Sequence, residues 1–294
     1  MGTSPSIPPR RFRLPRRVRL GLWLAAVAAE VAIVAATGCM ERLFYFPTRE
    51  ATTTPPHLAA AEPVWFTSAD GTRLHGWFIP AGDGTSRSDA PTILHVHGNA
   101  GNITSHVWFT EFLPPAGFNL FIFDYRGYGR SEASARRRGP LIEDTAAALD
   151  ALLARPDIDP KRVGMYGHSL GGAIGLIIME QRPEIRAAVI VSAFSSWRDM
   201  AASALRGGPV SRMLARLFIR DDRRPDEAIA RIDRPVLILH GTSDSVIPVT
   251  HGRRLAARGP TAELIEFTGG DHNDLRSTHP GADNLVIEFL RRNL

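Results

Sequence analysis

The sequence predicts an α/β fold, a mainly parallel sheet with helices on both faces, and three observations predict it. From residue 92 onward, short apolar runs alternate with stretches of helical character. Ahead of them, two alternating runs flank Asp70-Gly71, a hairpin turn signal. Between a strand-like run and a long apolar helical run stands Gly167-His168-Ser169-Leu170-Gly171, a G-x-S-x-G motif. The predicted strands are Val64-Thr67, Arg73-Ile79, Thr92-Val96, Leu120-Phe123, Val163-Tyr166, Ala188-Val191, Val236-Leu239 and Leu264-Phe267. The first two form the hairpin. The others are short and apolar, as strands covered on both faces are. Helices are predicted near Ser105-Leu113, Ile142-Leu153, Leu170-Met179, His251-Ala257 and Ala282-Arg291. No internal repeat interrupts this order.

The motif carries the chemistry. A serine on a sharp strand-to-helix turn has its hydroxyl lifted out of the sheet, and the flanking glycines let the backbone turn tightly. A serine hydroxyl is a poor nucleophile at neutral pH. It needs a histidine to take its proton and a carboxylate to orient that histidine. Downstream, the apolar run Pro235-Gly241 ends in a turn holding Asp244, and the run Ala262-Phe267 ends in a turn holding His272. Strand ends at one edge of a parallel sheet are where such sheets place their chemistry. Asp199, Asp271 and Asp274 compete with Asp244 for the acid position.

Five ordered motifs resemble those of the α/β-hydrolases: His97-Gly98-Asn99-Ala100-Gly101-Asn102, Asp124 to Ser131, Gly167 to Gly172, His240-Gly241 through Asp244 to Pro248, and His272-Asn273-Asp274. The resemblance covers roughly Glu62 to Leu294. Within that superfamily it points to the membrane-anchored serine hydrolases of the branch that includes the protein depalmitoylases. It implies Ser169 as nucleophile, His272 as base and Asp244 as acid. It also implies an oxyanion hole made by the backbone amides of Asn99 and Leu170, with Leu170 opening the helix after the nucleophile. Asp271 departs from the pattern, since such proteins usually carry a glycine before the histidine. A second carboxylate there could raise the histidine's pKa.

Other residues read as structural. His95 and His97 alternate on one strand face, but no Cys, His or carboxylate cluster with ligand spacing accompanies them. They read as core or loop-bracing side chains. His168 and His240 read as packing, Asp124 and Arg126 as braces for the loop after their strand, and Asp70-Gly71 as a turn and nothing more. Neither a metal nor an organic cofactor is expected.

Composition bounds the remainder. The 294 residues suit one large α/β domain plus an extension. The formal charge is +5, yet six arginines lie in the first nineteen residues, and the rest sums to −1. The basic character thus belongs to the N-terminal tail and is no argument for nucleic-acid binding. Lys161 is the only lysine among 35 basic residues, a mark of a GC-rich bacterial genome.

After the tail, Leu20 to Met40 is mostly apolar and long enough to span a bilayer. Glu30 near its middle costs about 3 kcal/mol on insertion scales. Three readings stand: an uncleaved anchor, a cleaved signal peptide with small residues near Ala35-Gly38, or a lipoprotein signal using Cys39, the only cysteine. All three put the preceding positive charge in the cytoplasm and the remaining chain outside, at a bacterial inner membrane. The expected organisation is therefore residues 1–40 as tail and membrane segment, 41–61 as linker and 62–294 as the hydrolase domain.

Residues 195–232 interrupt the alternation with Trp197, Met200, Leu205, Met213, Leu214, Leu217 and Phe218 among arginines. They are either a cap over the serine, lining an acyl pocket or touching a bilayer, or a surface helix pair packed on the sheet. The cap reading nominates Leu217 and Phe218 as pocket residues. The function expected is hydrolysis of carboxylic esters or thioesters through an acyl-enzyme, with small-molecule, lipid or acyl-protein substrates. An aminopeptidase-like serine peptidase is the nearest rival, although His97-Gly98-Asn99-Ala100 stands where prolyl aminopeptidases carry His-Gly-Gly-Pro-Gly. A dehalogenase would need an aspartate in place of Ser169. A catalytically silent, membrane-tethered binding protein on the same fold is the rival from another class.

Overall fold

A computed structural model describes residues 60–294 except 83, 136 and 206, together with 45–50 and isolated earlier positions that include Glu41. Apart from isolated positions, the apolar run of residues 20–40 lies outside the described residues, as does Cys39. Among the described residues no helix is long and apolar enough to cross a membrane.

Eight strands form one sheet in the order β1-β2-β4-β3-β5-β6-β7-β8. They are β1 (Glu62–Thr67), β2 (Arg73–Ile79), β3 (Thr92–Val96), β4 (Asn119–Asp124), β5 (Val163–His168), β6 (Ile185–Val191), β7 (Val236–Gly241) and β8 (Ala262–Phe267). β1 and β2 pair antiparallel, β2 pairs antiparallel with β4, and every later pairing is parallel. The helices are α1 (Ile103–His106), α2 (Arg138–Leu153), α3 (Leu170–Gln181), α4 (Trp197–Ala204), α5 (Pro209–Phe218), α6 (Pro225–Ile229), α7 (Thr250–Arg258), α8 (Leu275–Thr278) and α9 (Ala282–Asn293).

Two apolar cores sandwich the sheet, and the period of two in the strands decides which side chain enters which. Leu94, Val96, Phe121, Phe123, Met165, Ile190 and Ile238 face α2, α3, α6 and α7. Ile93, Leu120, Ile122, Val189, Leu237 and Leu239 face α1 and α9 on the other side. The helix predicted near Ser105-Leu113 is instead the short α1 followed by two 3-10 turns at Val107–Phe109 and Pro114–Ala116. Pro114 and Pro115 cannot donate the backbone bonds a continuous helix needs.

The front of the sheet is tied down by charge. The guanidinium of Arg126 donates to Asp144 at 2.7 Å and to Asp70 at 2.6 Å, and the Arg126 amide donates to Asp144 at 2.9 Å. Asp70 is therefore more than a turn residue: it joins the β1–β2 hairpin to the loop after β4. Asp144 and Arg126 are buried, whereas Asp70 is half exposed. Removing one member of a buried pair strands the other charge. Asp144→Ala should destabilise the fold by about 3 kcal/mol, and Asp70→Ala by less than about 1 kcal/mol, read from urea midpoints. Equal losses would contradict this division.

Candidate active site

The site begins at a backbone turn. Ser169 sits between β5 and α3 with φ 54° and ψ −117°, a conformation that side-chain-bearing residues rarely adopt. Its amide donates to the Val191 carbonyl at 2.8 Å, and its own carbonyl receives the Gly172 and Ala173 amides. The two motif glycines are required for close approach. A Cβ on Gly171 would run into the carbonyl oxygens of Val96 and His97, and one on Gly167 would meet the Gly172 backbone. The start of α3 can therefore press against β3 only without those side chains.

β7 and β8 bring the partners. His272 Nε2 lies 3.0 Å from Ser169 Oγ, and its Nδ1 lies 2.9 Å from Asp244 Oδ2 and 3.1 Å from Oδ1. All three residues are buried, with Ser169 8 % exposed. The Asp244 carboxylate also accepts the amides of Val246 at 2.9 Å and Ile247 at 2.7 Å. Burial alone would raise its pKa. Hydrogen bonds from His240 and His272, the nearby imidazole charge and the Ile247 amide outweigh burial and hold it well below the usual carboxylate range.

The other aspartates are placed elsewhere. Asp199 lies on α4 and pairs with Arg254 at 2.9 Å. Asp274 accepts the Asp271 amide at 2.7 Å. The Asp271 carboxylate accepts the Ser245 amide at 2.7 Å and hydroxyl at 2.8 Å, and not the imidazole. Asp271 thereby clamps the loop carrying the acid to the loop carrying the base.

His240, read from sequence as packing, also reaches the site. Its Nε2 donates to the Ile247 carbonyl at 2.8 Å and lies 3.4 Å from Asp244 Oδ2. His168 stacks on Phe109 with ring centroids 4.1 Å apart and donates from Nε2 to the His272 carbonyl at 3.3 Å. His95 Nδ1 contacts Thr110 Oγ1 at 2.7 Å, and His97 Nδ1 donates to the Gly98 carbonyl at 2.6 Å. Among the described residues no group of three or more His, Cys, Asp or Glu could hold a metal ion.

A cavity of about 410 Å³ opens beside Ser169, within the range of about 300–1,000 Å³ usual for small-molecule sites. Asn99 and Leu170 both line it. The Asn99 side chain is pinned, its Oδ1 accepting from the Tyr128 hydroxyl at 2.7 Å, the Ala100 amide at 2.9 Å and the Phe46 amide at 3.1 Å. Leu170 is the first residue of α3, so its amide has no acceptor within the helix. Most of the remaining wall is apolar: Tyr45, Phe194, Trp197, Met200, Ile219 and Ile247.

The cap segment thus reaches the serine, but through α4 and Ile219. Leu217 is exposed and Phe218 half buried, and neither lines the cavity, because the face of α5 that packs inward carries Ser211 and Ala215 instead.

The wall also includes residues assigned by sequence to the linker. Glu41, Tyr45 and Phe46 line the cavity. The Glu41 carboxylate accepts the Arg138 guanidinium at 2.7 Å and the Arg138 amide at 3.1 Å. Arg138 in turn lies over the Trp197 ring, 4.9 Å from its centroid. The apolar and aromatic run Leu43-Phe44-Tyr45-Phe46 just before Pro47 was the available signal.

A family model described as alpha/beta hydrolase fold matches residues 91–224, and one described as a TAP-like protein matches 217–293. The chain is 39% identical over 246 residues to the uncharacterized protein YfhR of Salmonella typhi, covering 79% of this chain and 80% of that one. It is 35% identical over 274 residues to the alpha/beta hydrolase domain-containing protein WAV2 of Arabidopsis thaliana, covering 86% of each. The esterase Pf2001 of Pyrococcus furiosus superposes with a TM-score of 0.68 at 22% identity, over 84% of this chain and 98% of that one, a likeness of fold. This chain belongs to the α/β-hydrolase family.

Two predictions follow from the geometry. Asp244→Asn should lower kcat on an activated ester by on the order of 10⁴-fold, as loss of the orienting carboxylate does in serine triads. Asp271→Ala, which loosens a clamp but leaves Ser169, His272 and Asp244 in place, should cost less than about tenfold. Comparable losses would make Asp271 part of the acid.

The second concerns pH. Burial is the main cause that holds His95, His97, His106 and His168 below the ordinary histidine value of 6.5, and that pushes His251 down to about 4. Below pH 6.5 the unfolded chain takes up protons on these rings that the folded chain refuses. Their contribution to stability is therefore complete above about pH 6.5 and declines as pH falls toward the folded values. Urea midpoints should drop steadily from pH 7.5 to pH 5; a flat profile would contradict neutral buried rings.

Proposed function

We propose that this protein is a serine hydrolase that cleaves esters or thioesters of apolar acyl groups through an acyl-enzyme. The observation that carries the reading is an apolar-walled cavity opening on a serine hydroxyl 3.0 Å from His272 Nε2. His272 takes the Ser169 proton as Oγ attacks the acyl carbonyl carbon. The amides of Asn99 and Leu170 hold the resulting oxyanion. The bond to the leaving alcohol or thiol breaks, and His272 Nε2 returns the proton to it. Water then repeats the sequence on the acyl-enzyme and releases the carboxylic acid, restoring Ser169. Asp244 holds the imidazole with Nδ1 protonated and stabilises its charged form.

The pocket and the apolar run of residues 20–40 together favour lipid or acyl-protein substrates met at a membrane, with the hydrolase domain on the extracytoplasmic side. Support for the acyl preference is the aromatic and aliphatic wall, whose two charged members, Glu41 and Arg138, neutralise each other. Kinship with the depalmitoylase branch belongs to the same proposal.

The test is turnover of p-nitrophenyl esters of rising chain length, alongside Ser169→Ala and Met200→Trp. Ser169→Ala should abolish turnover and fluorophosphonate labelling. Met200→Trp should spare acetyl esters. It should lower kcat/KM on long esters on the order of a hundredfold if about four methylenes lose burial worth about 0.8 kcal/mol each. Equal loss on short and long esters would remove the acyl pocket from the account. Absence of both turnover and labelling in the parent protein would favour a silent binding protein.

A further inference from the structure

α5 carries its apolar stripe on the wrong side for a helix that packs only on its own protein. Val210, Met213, Leu214 and Leu217 occupy positions i, i+3, i+4 and i+7, the spacing of one helix face. That face points outward: Val210 is 65 % exposed, Met213 54 % and Leu217 50 %. Leu205, just before the helix, is equally exposed. The inward face holds Ser211 and Ala215. An apolar stripe held in water by design rather than scattered marks a surface with a partner.

Charge identifies the partner. Residues 197–224 contain seven arginines against three aspartates, in a chain whose charge outside the first nineteen residues sums to −1. Arg212 and Arg216 are exposed on the flank of the stripe. They border a groove between α4 and α5 whose rim also includes Arg198, Arg224 and Arg254, beside Asp199 and Asp221. Apolar side chains flanked by arginines suit a helix lying in the headgroup region of an anionic bilayer.

Position agrees with chemistry. Arg138 Nη2 donates both to Glu41 and to the carbonyl of Arg220, just past the end of α5. Glu41, the residue that follows the apolar run in sequence, is thereby held beside this helix. The same cap lines the catalytic cavity, and two of the cavity's apolar residues, Phe46 and Val246, are exposed at its edge.

We infer that α5 and Leu205 form an interfacial surface that docks the domain on anionic lipid, so that acyl chains reach the cavity from the bilayer. The docking does not depend on the proposed chemistry; only the delivery of acyl chains rests on it.

The test uses the full chain with Cys39→Ser, incorporated into vesicles, and a single polarity-sensitive NBD label at Met213→Cys or at Asp233→Cys, whose parent side chain is 94 % exposed. In vesicles containing phosphatidylglycerol, emission at 213 should shift to the blue and be quenched by spin-labelled lipid, while emission at 233 stays as in water. Emission at 213 matching that at 233 would overturn the inference. So would a shift at 213 that spin-labelled lipid does not quench and that grows with protein concentration, since that marks a second copy as the partner. These readouts need no turnover. Where the enzyme turns over, Met213→Ser/Leu217→Ser should keep its rate on a water-soluble short ester within about twofold and lose on the order of tenfold on a vesicle-borne long ester. Equal loss on both would count against docking.

Discussion

The structure depends on one backbone constraint, the forced turn at Ser169. A left-handed φ at a residue with a side chain costs on the order of 1–3 kcal/mol and persists only where its surroundings over-determine it. Here the surroundings are specific. β5 feeds the turn from the middle of the sheet, Val191 receives the Ser169 amide, and Gly171 lets the first turn of α3 lie against the carbonyls at the end of β3. The sheet order then places β6, β7 and β8 in sequence on one side. Because those strands run parallel, the loops bearing Asp244 and His272 leave the sheet at the edge to which Ser169 is raised.

Around that turn, ionic and neutral groups are segregated. The Asp244 carboxylate is held charged by the His272 ring and the amides of Val246 and Ile247, with His240 Nε2 3.4 Å away. His168 and His97, by contrast, are kept neutral by burial, so they pack and donate without competing with His272 for a proton. Asp271, half-buried and tied to Ser245, adds mechanical coupling between the two loops. His272 thus has the Asp244 carboxylate on its Nδ1, a contact that His168 and His97 lack.

The strands and the placing of Ser169, Asp244 and His272 were legible because their signals are local. β2 and β3 fall on the residues their alternation and apolar runs indicate, and Ser169, Asp244 and His272 each sit at a strand end recognisable in sequence. What sequence could not show depends on contacts across the fold. Asp70 reads as a turn residue until Arg126, 56 positions away, is seen against it. His240 reads as packing until the turn after β7 folds Asp244 back beside it. Glu41 and Tyr45 belong to a proline-bearing stretch, and only the buried Arg138 explains why that stretch walls the cavity. In α5 the periodicity was visible but its direction was not: which of two faces turns inward is settled by the small residues Ser211 and Ala215, which permit close packing on the domain.

The central claim is covalent chemistry at Ser169. Its most direct test is rapid quenching of the enzyme with a long-chain acyl ester, followed by peptide mass mapping. The account predicts the acyl mass on the peptide containing Ser169, absent in Ser169→Ala, and accumulating when deacylation is slowed. Turnover of the ester with no acyl group on Ser169 would contradict it.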